Sequence, residues 1–169
     1  MLKKRLKIIL DTNILVSFLI SKQFQRFDKL LFSSDIQLIF SQELLEELFE
    51  VLHRPKFKNH FKSRDISMVF KLLGHFGRIV PVESEVSICR DPKDNFLLAL
   101  SIDSNADFLV TGDQDLLSLK TIKNTVIITL NQLDDKLHWT FTIEFWLFPL
   151  PLRESSPWKY VKVERERKS

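Results

Sequence analysis

Four carboxylates drawn from well-separated points of the chain, Asp11, Glu47, Asp94 and Asp113, are the residues best placed to do chemistry. Hard divalent cations such as Mg2+ and Mn2+ take carboxylate oxygens as ligands. Clustered carboxylates repel one another unless a cation sits between them. Such a cluster would hold one or two ions, activate a water and stabilise charge on a phosphate. Small polar residues, Thr12, Asn13 and Thr111, stand beside these acids, and Asp91 and Asp115 add two more carboxylates in the same stretches.

The densest stretch is DPKDNFLLALSIDSNADFLVTGDQDLL, residues 91–117. Asp91 and Asp94 open the apolar-periodic run Phe96–Leu100, with Asp91 as helix cap and Pro92 at the first helical position. Asp113 and Asp115 follow the apolar run Phe108–Val110, and Asp11 follows Lys7–Leu10, which reads as a buried parallel strand. Acids just before a helix and just after a strand meet at one edge of an α/β sheet, where open sheets place their chemistry. Glu47 lies on a helix over Gln42–His53, which Ser41 can cap. Its apolar stripe is Leu44, Leu45, Leu48, Val51 and Leu52. Glu47 falls about 100° from the centre of that stripe, bordering the core, while Glu43, Glu46 and Glu50 lie further round and should be solvated.

The remaining elements form a frame for these positions. Helices are expected over Ile14–Ile20, over Phe27–Phe32, and over a segment with apolar Ile66, Val69, Phe70, Leu73 and Phe76 that closes near Gly74 and Gly77. Further strands are expected at Ile36–Phe40, Ile79–Val82, Asp107–Thr111 and Val126–Thr129, with a short helix from Asn131. The alternation predicts a three-layer α/β/α domain over residues 1–136 with a mostly parallel sheet of about five strands. Residues 137–169 change character, becoming aromatic and then rich in Pro, Ser and charge; Thr140–Phe148 could add a strand, and the last ten residues are too polar to order on their own.

Composition narrows the class. One cysteine, Cys89, excludes an internal disulfide framework and fits a reducing, cytoplasmic setting. No apolar run is long enough to cross a membrane, and the one near the N-terminus is too short for a signal peptide. Residues 150–169 hold six basic residues against three acids, a surplus equal to the whole net charge of +3, so the body is balanced. Within that body, residues 53–64 carry Arg54, Lys56, Lys58, Lys62 and Arg64 interleaved with aromatics and no acid. This run is a candidate RNA-contacting surface; a solvated helix face is the plainer reading.

Plainer readings exist for the acids as well. Asp91 and Asp94 serve any helix start, Asp11 any turn, and Asp113 with Asp115 any turn and cap. Their joint placement is what favours chemistry. Other chemistries fit less well: there is no Gly-rich phosphate loop, the histidines lack zinc-ligand spacing and read as surface residues, Cys89 reads as a small core residue, and no serine sits in a nucleophile elbow. An aspartyl-phosphate phosphatase would need a second acid that Asp11-Thr12-Asn13 lacks.

The motifs LDTNILVS at 10–17, SQELLEELFEVLHRPKF at 41–57 and RDPKDNFLLALSIDSNADFLVTGDQDLL at 90–117 resemble, in order, those of the PIN-domain ribonucleases. Within them the chain is similar to the toxin components of bacterial and archaeal toxin–antitoxin pairs. The resemblance implies a PIN-like α/β/α fold and Mg2+- or Mn2+-dependent endonucleolytic cleavage of single-stranded RNA. It also implies an antitoxin partner and a homodimer. It assigns Asp11, Glu47, Asp94 and Asp113 to the catalytic metal site, with Asp115 and Asp91 auxiliary. Residues 137–169 depart from the family pattern, and an added strand, a partner-binding arm and a read-through after a disrupted frame all stay open. A catalytically weak RNA- or partner-binding module that keeps the PIN fold is the alternative.

Overall fold

The computed structural model describes residues 5–21, 30, 33, 35–57, 60, 61 and 63–141. Strand β1 (Leu6–Leu10) leads into helix α1 (Thr12–Ile20), and β2 (Ile36–Phe40) into α2 (Gln42–Leu52). A 3-10 turn at Pro55–Phe57 precedes α3 (Ser63–Phe76) and the short strand β3 (Arg78–Ile79). A long irregular segment then reaches a 3-10 turn at Pro92–Asp94 and α4 (Asn95–Ser104). The described residues close with β4 (Phe108–Val110), α5 (Gln114–Leu119), the hairpin β5 (Thr121–Ile122) and β6 (Thr125–Ile128), and α6 (Leu130–Phe141).

The six strands lie in the order β3-β2-β1-β4-β6-β5, all parallel except the β5–β6 pair. From β1 the chain moves outward to β2 and β3, then returns to the other side of β1 with β4 and β6. Right-handed crossovers put the helices of these two journeys on opposite faces of the sheet. The reversal falls between β1 and β4, so their carboxyl ends form a topological switch point. Both strands are branched and apolar, and Ile8, Ile9, Leu10, Leu109 and Val110 are fully buried. Burial of this order, roughly 1.5–3 kcal/mol per side chain, fixes the two strands that carry Asp11 and Thr111 at their ends.

Several expectations need correction. β3 covers two residues and stops before Pro81, which lacks the N–H a ladder needs. Gly74 sits inside α3, not at its end; Gly77 follows the helix, where a Cβ would collide with the Phe40 ring and the Leu73 carbonyl. The mostly parallel sheet of about five strands is as expected, and the two-residue β5, paired with β6, brings the strands among the described residues to six. Thr140 and Phe141 belong to α6, so the strand expected over Thr140–Phe148 does not start there, and its remainder lies outside the described residues. α6 passes residue 136 without a break, and Leu137 is buried in the core. The helix expected over Phe27–Phe32 falls outside the described residues except at Leu30. No helix among the described residues is long and apolar enough to cross a membrane.

Candidate active site

Asp11 follows β1 directly. Its N–H donates to the Val110 carbonyl at 2.9 Å, which locks it beside the end of β4. Its side chain caps α1 by accepting from the Asn13 N–H, and its Oδ2 accepts from the Thr111 hydroxyl at 2.6 Å. Asp11 is 5% exposed and Thr111 fully buried. Burial pushes the Asp11 carboxyl above the usual range against those two hydrogen bonds, and Glu47 and Asp113 push it further.

Asp113 follows β4 as the N-cap of α5. Its N–H donates to the Thr111 hydroxyl at 3.0 Å, and its Oδ1 accepts from the N–H groups of Asp115 and Leu116. Asp113 is thus the cap its plainer reading predicts, with its second oxygen outside these bonds. Glu47 is half-buried on α2, and its Oε2 accepts from the Thr12 hydroxyl at 2.7 Å, while Glu43, Glu46 and Glu50 are exposed as expected. Thr12 is itself buried, so a first-turn residue of α1 orients an acid of α2.

Asp94 closes the 3-10 turn that Asp91 caps, with Pro92 in its first turn. It stands at the N-cap of α4 yet makes no side-chain capping bond. Burial raises its carboxyl to about 6, helped by repulsion from Asp11, Asp113, Asp91 and Glu47. Four acids from four elements therefore act on this one carboxylate. Coulomb repulsion reaches farther than coordination, however. Among the described residues no three His, Cys, Asp or Glu side chains converge into a ready ligand set. The donors are the hard oxygens that Mg2+ or Mn2+ would take, facing one region without meeting.

Asp115 lies at the rim, 3.7 Å from the highly exposed Arg90. Asn13 is exposed and offers its backbone to Asp11. Arg54 and Lys56 are exposed just past the end of α2; Lys58, Lys62 and the Arg64 side chain lie outside the described residues. Because α2 starts at the carboxylate edge, its last residue, Leu52, lies about 7.5 Å along the helix beyond Glu47, and Arg54 follows it.

Two supporting residues escaped sequence reading. The Asn95 Oδ1 accepts from the N–H groups of Ile88 and Cys89, and its Nδ2 donates to the Pro92 carbonyl, bracing the turn that holds Asp94. Asp103 accepts from the Glu83 and Ser84 N–H groups and the Ser84 hydroxyl, pinning the other end of the same segment. The only sequence signal for Asn95 is its place after Asp94. Cys89 is buried as expected; burial raises its thiol, and Asp94, Asp113 and Asp115 add to the shift. His53 and His75 are exposed as surface histidines should be, but His60 is half-buried with Nδ1 unpartnered.

Residues 7–115 match the sequence model of the PIN domain. The chain belongs to the PIN domain family. The match spans Asp11, Glu47, Asp94, Asp113 and Asp115, and the PIN-like α/β fold with its mostly parallel sheet is the one observed. PIN domains are typically metal-dependent nucleases. Among known proteins, this PIN domain is similar to the uncharacterized protein MJ1680 of Methanocaldococcus jannaschii, 28% identical over 123 residues, 70% of this chain and 77% of the relative. Among solved structures it is similar to the PIN domain of T. brucei RRP44, with a TM-score of 0.44 and 13% identity, covering 85% of this chain and 87% of that one.

Proposed function

We propose that this PIN domain is an endoribonuclease that cleaves single-stranded RNA with Mg2+ or Mn2+. The observation that carries the reading is Asp94: a half-buried carboxylate with no capping bond, raised to about 6 with help from acids of four other positions. A residue serving only as a cap would bond its helix. Asp11, Asp94 and Asp113 would hold the cation, with Glu47 completing the site directly or through water. The bound ion would supply an acidified water and charge neutralisation at the phosphate.

This chain's own residues do the positioning. Thr111 holds Asp11 and the Asp113 backbone in register, Thr12 holds Glu47, and Asn95 braces the Asp94 turn. Arg54 and Lys56, exposed beyond the end of α2, offer phosphate contacts to an RNA strand, and Lys58, Lys62 and Arg64 of the same run would add to them. We extend the reading to a cytoplasmic toxin held by an antitoxin and acting as a homodimer, on the strength of the three motifs.

Turnover of a mixed single-stranded RNA pool, with Mn2+ and with chelator, tests the reading. Metal-dependent cleavage lost in Asp94→Asn supports it. A catalytically weak binding module is the second reading, favoured by carboxylates that do not converge. Salt-sensitive RNA binding without turnover in either buffer would establish that reading in place of the first.

A further inference from the structure

An open groove of about 480 Å³ lies away from the acids, lined by Leu45, Glu46, Phe49, Glu50, Phe70 and Ile79. It runs between α2 and α3 beside β3, the outermost strand of the sheet. Phe49 is 50% exposed and Ile79 56% exposed, large values for side chains of this size. Phe49 and Phe70 meet edge to face at 5.8 Å, so the groove has a firm aromatic floor. Its acidic residues, Glu46 and Glu50, are both exposed. An apolar channel with a negative rim beside an open strand edge fits an extended segment that carries apolar and basic residues and no acid.

The chain contains such a segment. Trp158-Lys159-Tyr160-Val161-Lys162-Val163 has four residues of high strand propensity, two lysines and no acid. It lies outside the described residues, beyond Phe141 at the end of α6. The reach suffices. Four strand spacings from β6 to β3 amount to about 19 Å, and the length of α6 adds about 18 Å. The residues between Phe141 and Trp158 span roughly 55 Å when extended. We propose that Trp158–Val163 of the same chain occupies this groove alongside β3, with Trp158 and Tyr160 over Phe49, Phe70 and Ile79 and Lys162, on the same face of the extended segment, toward Glu46 and Glu50.

The chain carries its own probe, because its three tryptophans are Trp139, Trp146 and Trp158. Replacing the first two by Phe leaves Trp158 as sole reporter in the full chain. Its emission should be blue-shifted and resist acrylamide. Phe49→Lys, a change at an exposed position, should shift the emission red and raise quenching toward that of free tryptophan. Lys162→Glu should do the same, and adding Glu46→Lys with Glu50→Lys should restore protection by reversing both signs. Amide exchange over 158–163 in the chain with all its tryptophans, with and without Phe49→Lys, gives the same answer should the double Phe variant fail to fold. Equal quenching with and without Phe49→Lys overturns the proposal. So does protection that appears only as concentration drives dimerisation, which would assign the groove to a second copy.

Discussion

Thr111 and Asp11, 100 residues apart in sequence, share a 2.6 Å hydrogen bond in a nearly dry interior, and the same hydroxyl accepts from the Asp113 N–H. One side chain thus sets two acids of the proposed site. Thr111→Val keeps the shape but leaves a buried carboxylate oxygen without its donor, a loss on the order of 1–3 kcal/mol. Thr111→Ser keeps the hydroxyl. Thermal melts and RNA turnover should show Val impaired in both and Ser close to the parent; a Val variant that melts with the parent would mean Thr111 does not hold Asp11.

Asp94→Asn separates a cap from a ligand. As a cap, its loss would cost on the order of 1 kcal/mol with or without metal. As one of several crowded acids, its neutralisation relieves repulsion, so metal-free stability should hold or rise. A ligand at about 100 times its dissociation constant adds roughly 2.7 kcal/mol. The parent should therefore gain thermal stability in Mn2+, and the Asn variant should gain much less and lose cleavage. Equal destabilisation in both buffers, with cleavage intact, would remove Asp94 from the site.

The raised carboxyls make a pH prediction of defined sign. Asp94 binds its proton up to about pH 6 in the folded state and only up to the ordinary carboxylate range when unfolded. Its contribution to stability is full below that range and is lost as pH rises through about 6. Asp103, lowered mainly through its bonds to Ser84 and Glu83, acts in the opposite sense as pH falls, so the overall curve is mixed. The difference between parent and Asp94→Asn isolates Asp94. In chelator the variant should gain on the parent between about pH 4 and pH 7, and Mn2+ should shrink that gain. A difference that stays flat with pH would mean Asp94 is not crowded.

Much of this was legible in the sequence, for physical reasons. The sequence pattern predicts Ile36–Phe40 with its observed bounds, and the strand at Lys7–Leu10 and the helix from Gln42 to within a residue, because unbroken apolar or periodic runs leave few alternatives. The angle of Glu47 on a helical wheel sets it apart from its neighbours, and it is the glutamate that Thr12 holds. The β5–β6 hairpin was missed because its turn uses Lys123 at φ 47 and no glycine. α5 was missed because six residues carry little periodicity. The role of Asn95 is invisible in the sequence because its bonds run to the backbone of Ile88 and Cys89, which only the folded turn brings near.

Phosphate contacts make RNA affinity fall with salt, by about 0.7 in logarithmic slope per neutralised phosphate on a single strand. Arg54→Ala with Lys56→Ala should weaken binding and flatten that slope by about 1.4, with turnover at saturating RNA little changed. Extending the change to Lys58 and Lys62 should flatten it further. An unchanged slope would place the RNA path elsewhere.

The end of the folded unit is equally open to test. Leu133 is fully buried and Leu137 is 7% exposed, so α6 belongs to the core past residue 136. A chain ending at 141 should melt cooperatively. One ending at 136 forfeits the burial of Leu137, about 1.5–3 kcal/mol, and should melt lower. Matching melting temperatures would show that Leu137 contributes nothing.

Asp11 and Asp113 each cap the helix that follows them, and asparagine caps as well as aspartate. Asp113→Asn, whose cap uses Oδ1 alone, would strip the proposed site of a charge while keeping its helix anchored, whereas Asp11→Asn would also give up the bond from Thr111. The scaffold thus offers natural variation a short, structurally silent route from an enzyme to an inert homologue, and presence of the fold in a relative is no guarantee of a living active site.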